Sequence, residues 1–222
     1  MWFSTEVGGK GRGDMSDVIH SEKHLGYTIE VYADSDSLNP RTDLDNLGRM
    51  ICFHRRYTLG DRHDFSAGNY SSWDENEAEI GKELGAVLIL PIYMYDHGGI
   101  TISTSPFSCP WDSGRVGTIY ATKDDILEAF GKKKLTKELL AKAEKILEGE
   151  VAVYDQYLRG EVYGYTIRDE DGLVVDACGG YYGDYDEDGG ALVEAKAAVM
   201  GILNQEFQAG MRASLRLTGM EE

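Results

Sequence analysis

The residues best suited to acid–base or metal chemistry gather in one run. Phe53-His54-Arg55-Arg56-Tyr57 is followed closely by Gly60-Asp61-Arg62-His63-Asp64-Phe65. A histidine beside a carboxylate can serve as general base or metal ligand. If the fold brings Asp96-His97 alongside, His54, His63, Asp64 and His97 make the ligand set of a metal-dependent hydrolase or nuclease. The spacing matches no zinc motif. The alternative is a structural network in which Arg55, Arg56 and Arg62 pair with local acids.

Two further stretches invite chemistry. Cys109, in Ser105-Pro106-Phe107-Ser108-Cys109-Pro110-Trp111-Asp112-Ser113-Gly114, has hydroxyls nearby and His97 upstream. A thiolate nucleophile needs a base or a positive environment, and the spacing identifies no third group. A cysteine between two prolines and a tryptophan also reads as a packed loop residue. Asp184-Tyr185-Asp186-Glu187-Asp188-Gly189 starts like a calcium loop, with oxygen ligands at alternate positions and glycine sixth. Ala195 stands where the bidentate Glu belongs, with Glu194 one place early, so an acidic solvated or partner-contacting loop is the competing reading. Gly8-Gly9-Lys10-Gly11 lacks the spacing of a phosphate-binding loop, and neither G-x-S-x-G nor H-E-x-x-H occurs. No cofactor is expected.

The whole chain carries a formal charge of -17 and a pI near 4.6. Nonspecific nucleic-acid binding rests on Lys and Arg neutralising phosphates, so no direct nucleic-acid partner is expected and a basic protein partner is. A large net charge also serves solubility alone. Cys52, Cys109 and Cys178 are far apart and form no C-x-x-C, which signals neither a disulfide framework nor a zinc knuckle and suggests a reduced, cytoplasmic setting. No apolar run approaches a membrane helix, and the start at Met1 lacks the pattern of a signal peptide. The Gly-rich opening reads as a flexible lead over 1–26, with Met15 as an alternative start.

The elements that must hold these residues follow from periodicity and caps. Tyr27–Ala33 alternates as a half-buried strand. Leu47–His54 supplies a short strand, and Arg55–Trp73 is a long polar loop of the kind that is often functional. Asp74–Leu84 reads as a helix capped by Asp74 and stopped at Gly85. The apolar run Ala86–Tyr95 reads as a central strand covered on both faces. It turns at His97-Gly98-Gly99 into Ile100–Ser103, and Val116–Ala121 is a further strand. Thr122 and Thr136 cap two helices, the second being the longest, at about 136–158. Its stripe of Leu139, Leu140, Ala143, Ile146, Leu147, Val151, Tyr154 and Leu158 is a core face. Asp171-Gly172 joins strands Glu161–Arg168 and Leu173–Ala177 as a hairpin. An acidic loop over Gly179–Gly190 leads to a final helix over Leu192–Phe207. With no regular βαβ repeat, the expected fold is α+β: an antiparallel-rich mixed sheet with packed helices, in a single domain over 27–208 followed by a tail over 209–222.

Three stretches, Asp45-Asn46-Leu47-Gly48 running into Cys52-Phe53-His54-Arg55-Arg56-Tyr57-Thr58-Leu59-Gly60-Asp61, Tyr95 through Thr122 with its distinctive Ser105–Gly114 run, and Gly160 through Gly183, resemble a family of small uncharacterised proteins encoded by bacteriophages and prophages. The resemblance covers roughly residues 27–200 and carries over no catalytic residue. It implies an accessory viral protein in the host bacterial cytosol, a setting in which such proteins antagonise defence complexes. The leading expectation is a binding protein without catalysis, an anti-CRISPR-like inhibitor. It would dock on the basic surface of a host nucleic-acid-handling complex, plausibly a CRISPR effector, presenting carboxylates where phosphates would lie. Asp184, Asp186, Glu187 and Asp188 are the expected contacts, with Asp169, Glu170 and Asp171 of the hairpin turn beside them. The rivals are the hydrolase above and a structural or oligomerising phage protein.

Overall fold

The computed structural model describes residues 18–66, 68 and 71–218. In chain order the elements are β1 (Val18–His24), β2 (Tyr27–Ala33), β3 (Arg49–Cys52), α1 (Trp73–Leu84), β4 (Ala86–Asp96), β5 (Ile100–Ser103), β6 (Ser113–Thr122), α2 (Lys123–Ala129), α3 (Lys137–Arg159), β7 (Val162–Arg168), β8 (Val174–Tyr182) and α4 (Ala191–Thr218). Two four-stranded sheets, ordered β1-β2-β7-β8 and β3-β6-β4-β5, are antiparallel throughout. The expected α+β class, antiparallel pairing, long helix and C-terminal helix are all present.

The chain gathers into two compact units, one from residues up to Ser35 together with those from Val162 onward, the other from Asp36 to Glu161. The sequence reading treats 27–208 as one domain. The division is not apparent from residue order because the first unit is discontinuous in sequence.

In the discontinuous unit, α4 covers one face of its sheet. Ile29 and Val31 of β2 and Tyr165 and Ile167 of β7 point the same way by strand alternation. They meet Ala191, Leu192, Ala195 and Val199 from one stripe of the helix. Beyond Ile202 and Leu203 the helix makes no further contribution to this core, and Phe207 and Met211 are exposed. At about 1.5 Å per residue the helix outlasts the strands it covers.

Two boundaries of the sequence reading move here. Val18–His24, placed in the flexible lead, is a strand paired with β2, and residues 1–17, with Met15 and Gly8-Gly9-Lys10-Gly11, lie outside the described residues. The tail from 209 is helical through Thr218. The polar His20, Glu22 and Lys23 of β1 mask its alternation in the sequence, and its strand character comes from its neighbour.

In the continuous unit, β4 and β6 are the inner strands. The face bearing Met50, Ile92, Met94, Ile102 and Ile119 packs on Ile126 of α2 and on Leu139, Ala143, Leu147, Val151 and Tyr154 of α3. The opposite face, with Ile51, Tyr120 and Ile89, packs on Ile80 and Leu84 of α1. The doubly covered strand inferred from the apolar run is therefore present. Ile146, placed on the α3 core stripe, is exposed. The N-cap of α1 is Ser72, whose side chain accepts from Glu75 N, and Asp74 sits in the first turn instead. The box at Thr122 is complete: its hydroxyl accepts from Asp125 N at 3.2 Å and Asp125 reaches back to Thr122 N at 3.3 Å. Thr122→Ala should cost about 1 kcal/mol, read as a lowered midpoint in urea with an unchanged slope.

One polar network underlies β3. Arg41 is buried, and its guanidinium forks onto both oxygens of Asp61 (2.9 and 2.6 Å), onto Glu150 Oε2 (3.1 Å) and onto Gly48 O (2.8 Å). Asp61 also accepts from Met50 N, and Glu150 accepts from Leu47 N and Gly48 N. Burial works against the Arg41 charge, but its hydrogen bonds and ion pairs with Asp61 and Glu150 hold its pKa above the usual value. Burial raises the Glu150 pKa, and the two backbone donors and Arg41 only partly offset it. The middle of α3, the polar loop before β3 and the chain just after β3 are thus tied by one cation.

Candidate functional site

The two motifs from the continuous unit meet at one end of its sheet. The loop after β3 stacks His54 on Tyr57 (ring centroids 4.9 Å apart, 9° between planes) and sets Arg56 over the same ring at 5.3 Å. Arg56 pairs with Asp96 at the end of β4, and Tyr57 Oη donates to the same carboxylate at 3.3 Å. Asp96 N in turn donates to Asp112 O at 2.9 Å. His97 Nδ1 lies 3.3 Å from Asp112 Oδ2, its ring stacked on Tyr95, which also meets Phe107. At the rim Trp111 is 92% exposed. The approach of Asp96 to the His54 run, considered from the sequence, is present, and it takes the form of the alternative considered there, an arginine paired with an acid.

The proposed metal set does not assemble. His63 is engaged otherwise: its Nε2 meets Cys52 O at 3.0 Å and its ring packs against Phe53 and Phe65. Asp64 is exposed, and His97 is engaged with Asp112. Among the described residues no group of three or more His, Cys, Asp or Glu is placed to hold a metal ion, and that includes His54, His63, Asp64, His97 and the acids of 184–188. His54, His63 and Asp64 border one recess without converging on a point, and His97 is not among its lining residues. The hydrolase alternative loses its ligand set.

A recess of about 610 Å³ does open beside His54 and His63, lined by Cys52, Thr58, Asp61, Arg62 and Asp64 among others. Two of its groups are already committed, while His63 Nδ1 is buried without a hydrogen-bond partner among the described residues. Asp61 is held by Arg41 and Met50 N. Burial, with the Asp61 charge, pushes the Cys52 thiol up to about 12, so it stays protonated. The Cys109 thiol faces the Asp112 carboxylate across 3.9 Å, an anion where a thiolate would need a cation.

The acidic candidates lie in the discontinuous unit, in two groups at opposite ends of β8. At the hairpin turn, Asp169 is a structural residue whose carboxylate accepts from Asp171 N (3.0 Å) and Leu173 N (2.8 Å). Glu170 and Asp171 project into solvent. At the far end Asp184, Asp186, Glu187 and Asp188 are exposed. Their loop is tightly built: Gly190 N donates to Glu187 O and Leu192 N to Tyr185 O, both at 2.8 Å. A Cβ on Gly190 would lie 2.4 Å from Asp184 O, so only glycine lets the chain fold back this closely. The strand between spans about 30 Å at ~3.3 Å per residue, so the two groups do not share one patch. β8 runs to Tyr182 where the sequence reading ends it at Ala177, because Gly179-Gly180 reads as loop from composition.

No family model, curated protein or solved structure matches the chain. Among the described residues no helix is long and apolar enough to cross a membrane.

Proposed function

We propose that the chain is a binding protein without catalysis, a phage-type antagonist acting in the bacterial cytosol. It docks on a basic surface of a host nucleic-acid-handling complex, such as a CRISPR effector. The observation that carries this reading is the loop ahead of α4. It places four acids in the five positions 184–188, all four exposed, on a backbone fixed by hydrogen bonds at both ends. None of these acids takes part in an ion pair among the described residues, whereas Glu22, Glu30, Glu77, Asp96 and Asp155 do. Unneutralised carboxylates on a fixed mount match an array of Lys and Arg that otherwise grips phosphates, and they steer the encounter from beyond contact range.

The test is capture from a nuclease-treated bacterial lysate carrying active defence systems, washed at low and high salt. A nucleic-acid-handling protein retained at low salt and released at high salt is the expected result. Combining Asp184→Lys, Asp186→Lys, Glu187→Lys and Asp188→Lys should then slow association with that protein at least tenfold at low salt and flatten its salt dependence. Unchanged association by the fourfold variant would remove this surface from the interface.

A further inference from the structure

β8 is an edge strand, and its outer side has no strand partner among the described residues. The other edge of the same sheet, β1, has the features that discourage further pairing. It carries His20, Glu22 and Lys23, an irregular register between Val18 and His20, and an ion pair from Glu22 to Lys196 of α4. β8 is less defended: its one charged side chain, Asp176, is half-buried and accepts from Tyr165 Oη of β7 at 3.1 Å, although its pairing with β7 also shifts register. Leu173, Val174 and Val175 at its start are 65%, 53% and 42% exposed, and Ala177, Cys178, Gly179 and Gly180 are exposed after them, with no lysine, arginine or proline. An open edge whose one charge is already engaged with the neighbouring strand is a template for one more strand.

What brackets this edge selects its occupant. Glu170 and Asp171 stand at one end and Asp184, Asp186, Glu187 and Asp188 at the other, all exposed. The two acidic groups, too far apart to form one patch, become a single site once a strand lies between them. We propose that β8 accepts an extended segment of a partner protein, in the manner of β-strand addition, with basic residues at both ends and a short β-branched middle. Pairing of β8 with β7 is regular at Asp176–Cys178 and shifts register on either side. The added backbone hydrogen bonds therefore fall on that central stretch and the ionic contacts at its two ends. A second copy of this chain would bring acids against acids. This inference rests on the reading above for its basic partner and adds the means by which the partner is held.

The probe is a synthetic peptide, Lys-Lys-Arg-Thr-Val-Thr-Val-Thr-Arg-Lys-Lys, compared with the same peptide N-methylated at each of its five central residues. Both carry the same charge and side chains, but only the first can donate main-chain hydrogen bonds. With the full chain at 0.15 M salt, fluorescence anisotropy should show the unmethylated peptide binding at least tenfold more tightly. Amide exchange at whichever of Ala177 and Cys178 directs its N–H away from β7 should slow when it is bound. Equal binding by both peptides means that charge alone acts, which overturns strand addition and leaves the acidic antagonist standing. No binding by either, beside a successful lysate capture, has the same meaning. Methylation-sensitive binding beside an empty capture keeps strand addition and removes the antagonist. A doubled mass by light scattering without peptide, returned to the monomer value by Ala177→Lys, would give the edge to a second copy and overturn the proposal.

Discussion

Replacing Arg41 with alanine should cost about 3–5 kcal/mol of stability at pH 7.5, the range seen when one partner of a buried ion pair is removed. That is a large part of the total stability of an ordinary domain. The cation satisfies Asp61, Glu150 and Gly48 O at once. Its loss leaves two carboxylates facing each other's charge in a space that excludes most water. By contrast, the pair between Arg49 and Asp125, 3.9 Å apart with Arg49 largely exposed, should yield less than 1 kcal/mol when Arg49 becomes alanine. Urea unfolding of both variants makes the comparison.

The Arg41 deficit should also depend on pH in a definite direction. The folded pKa of Glu150 already lies above the ordinary carboxylate value, chiefly through burial. The folded state therefore binds the Glu150 proton more tightly than the unfolded chain does. This group's contribution to stability is greatest below the unfolded pKa and falls as pH rises through the folded one. Arg41 is one of the influences holding that pKa down, so its removal pushes the pKa higher and deepens the fall. The gap between parent and variant should be smaller at pH 5 than at pH 7.5. A gap that stays constant or widens on acidification would mean that Arg41 acts through packing and not through its two acids.

Gly117→Ala should be similarly damaging for a reason with no electrostatics in it. Gly117 lies opposite Cys52 in the β3–β6 pairing. A Cβ there would stand 2.3 Å from Ile51 O, 2.7 Å from Cys52 Sγ and 2.9 Å from Cys52 Cα. Two of those atoms are backbone, so the clash is relieved only by moving β3. That strand carries Met50 and Ile51, which are buried in the two opposite cores of its unit. A cost of about 3 kcal/mol, the upper part of the overpacking range, is expected. Gly114→Ala in the same strand, where an added Cβ meets nothing within 4 Å, should change stability by less than about 0.5 kcal/mol. Equal midpoints for the two variants would show that β3 yields freely.

The contrast between Arg41 and the histidines explains what could be read from residue order. Local chemistry was legible: Thr122 and Thr136 cap helices because the hydroxyl and the orphan N–H lie within one turn. Tyr27–Ala33 alternates because one face is dry. The acids at 184–188 sit in an exposed loop as their composition suggests. What depended on distant partners was not legible. Arg41 lies in a polar stretch that looks solvated, and its partners are 20 and 109 positions away. The exposed edge of β8 went unread because a glycine pair reads as loop, which concealed that the two acidic groups are the ends of one strand. His54, His63, Asp64 and His97 failed as a set because order along a chain says which residues are near, and not which way irregular backbone points them.

The way the first sheet is assembled bears on how the chain folds as it is made. Residues 36–161 lie between β2 and β7, yet those strands are neighbours, Ala33 opposite Tyr163 and Asp34 N bonded to Val162 O at 2.8 Å. The β1–β2 hairpin leaves the ribosome first, but the strand it needs follows only after this whole segment. Closing an unstructured loop of that length costs roughly 4 kcal/mol of chain entropy by the logarithmic rule. Prior folding of the inserted segment removes most of that cost by fixing how far apart its two ends can stray. Synthesis therefore favours an order in which the interior of the gene product folds first and the outer sheet closes last. Damage to the inserted unit, as by Arg41→Ala or Gly117→Ala, would then delay the sheet that carries β8, although neither residue belongs to it.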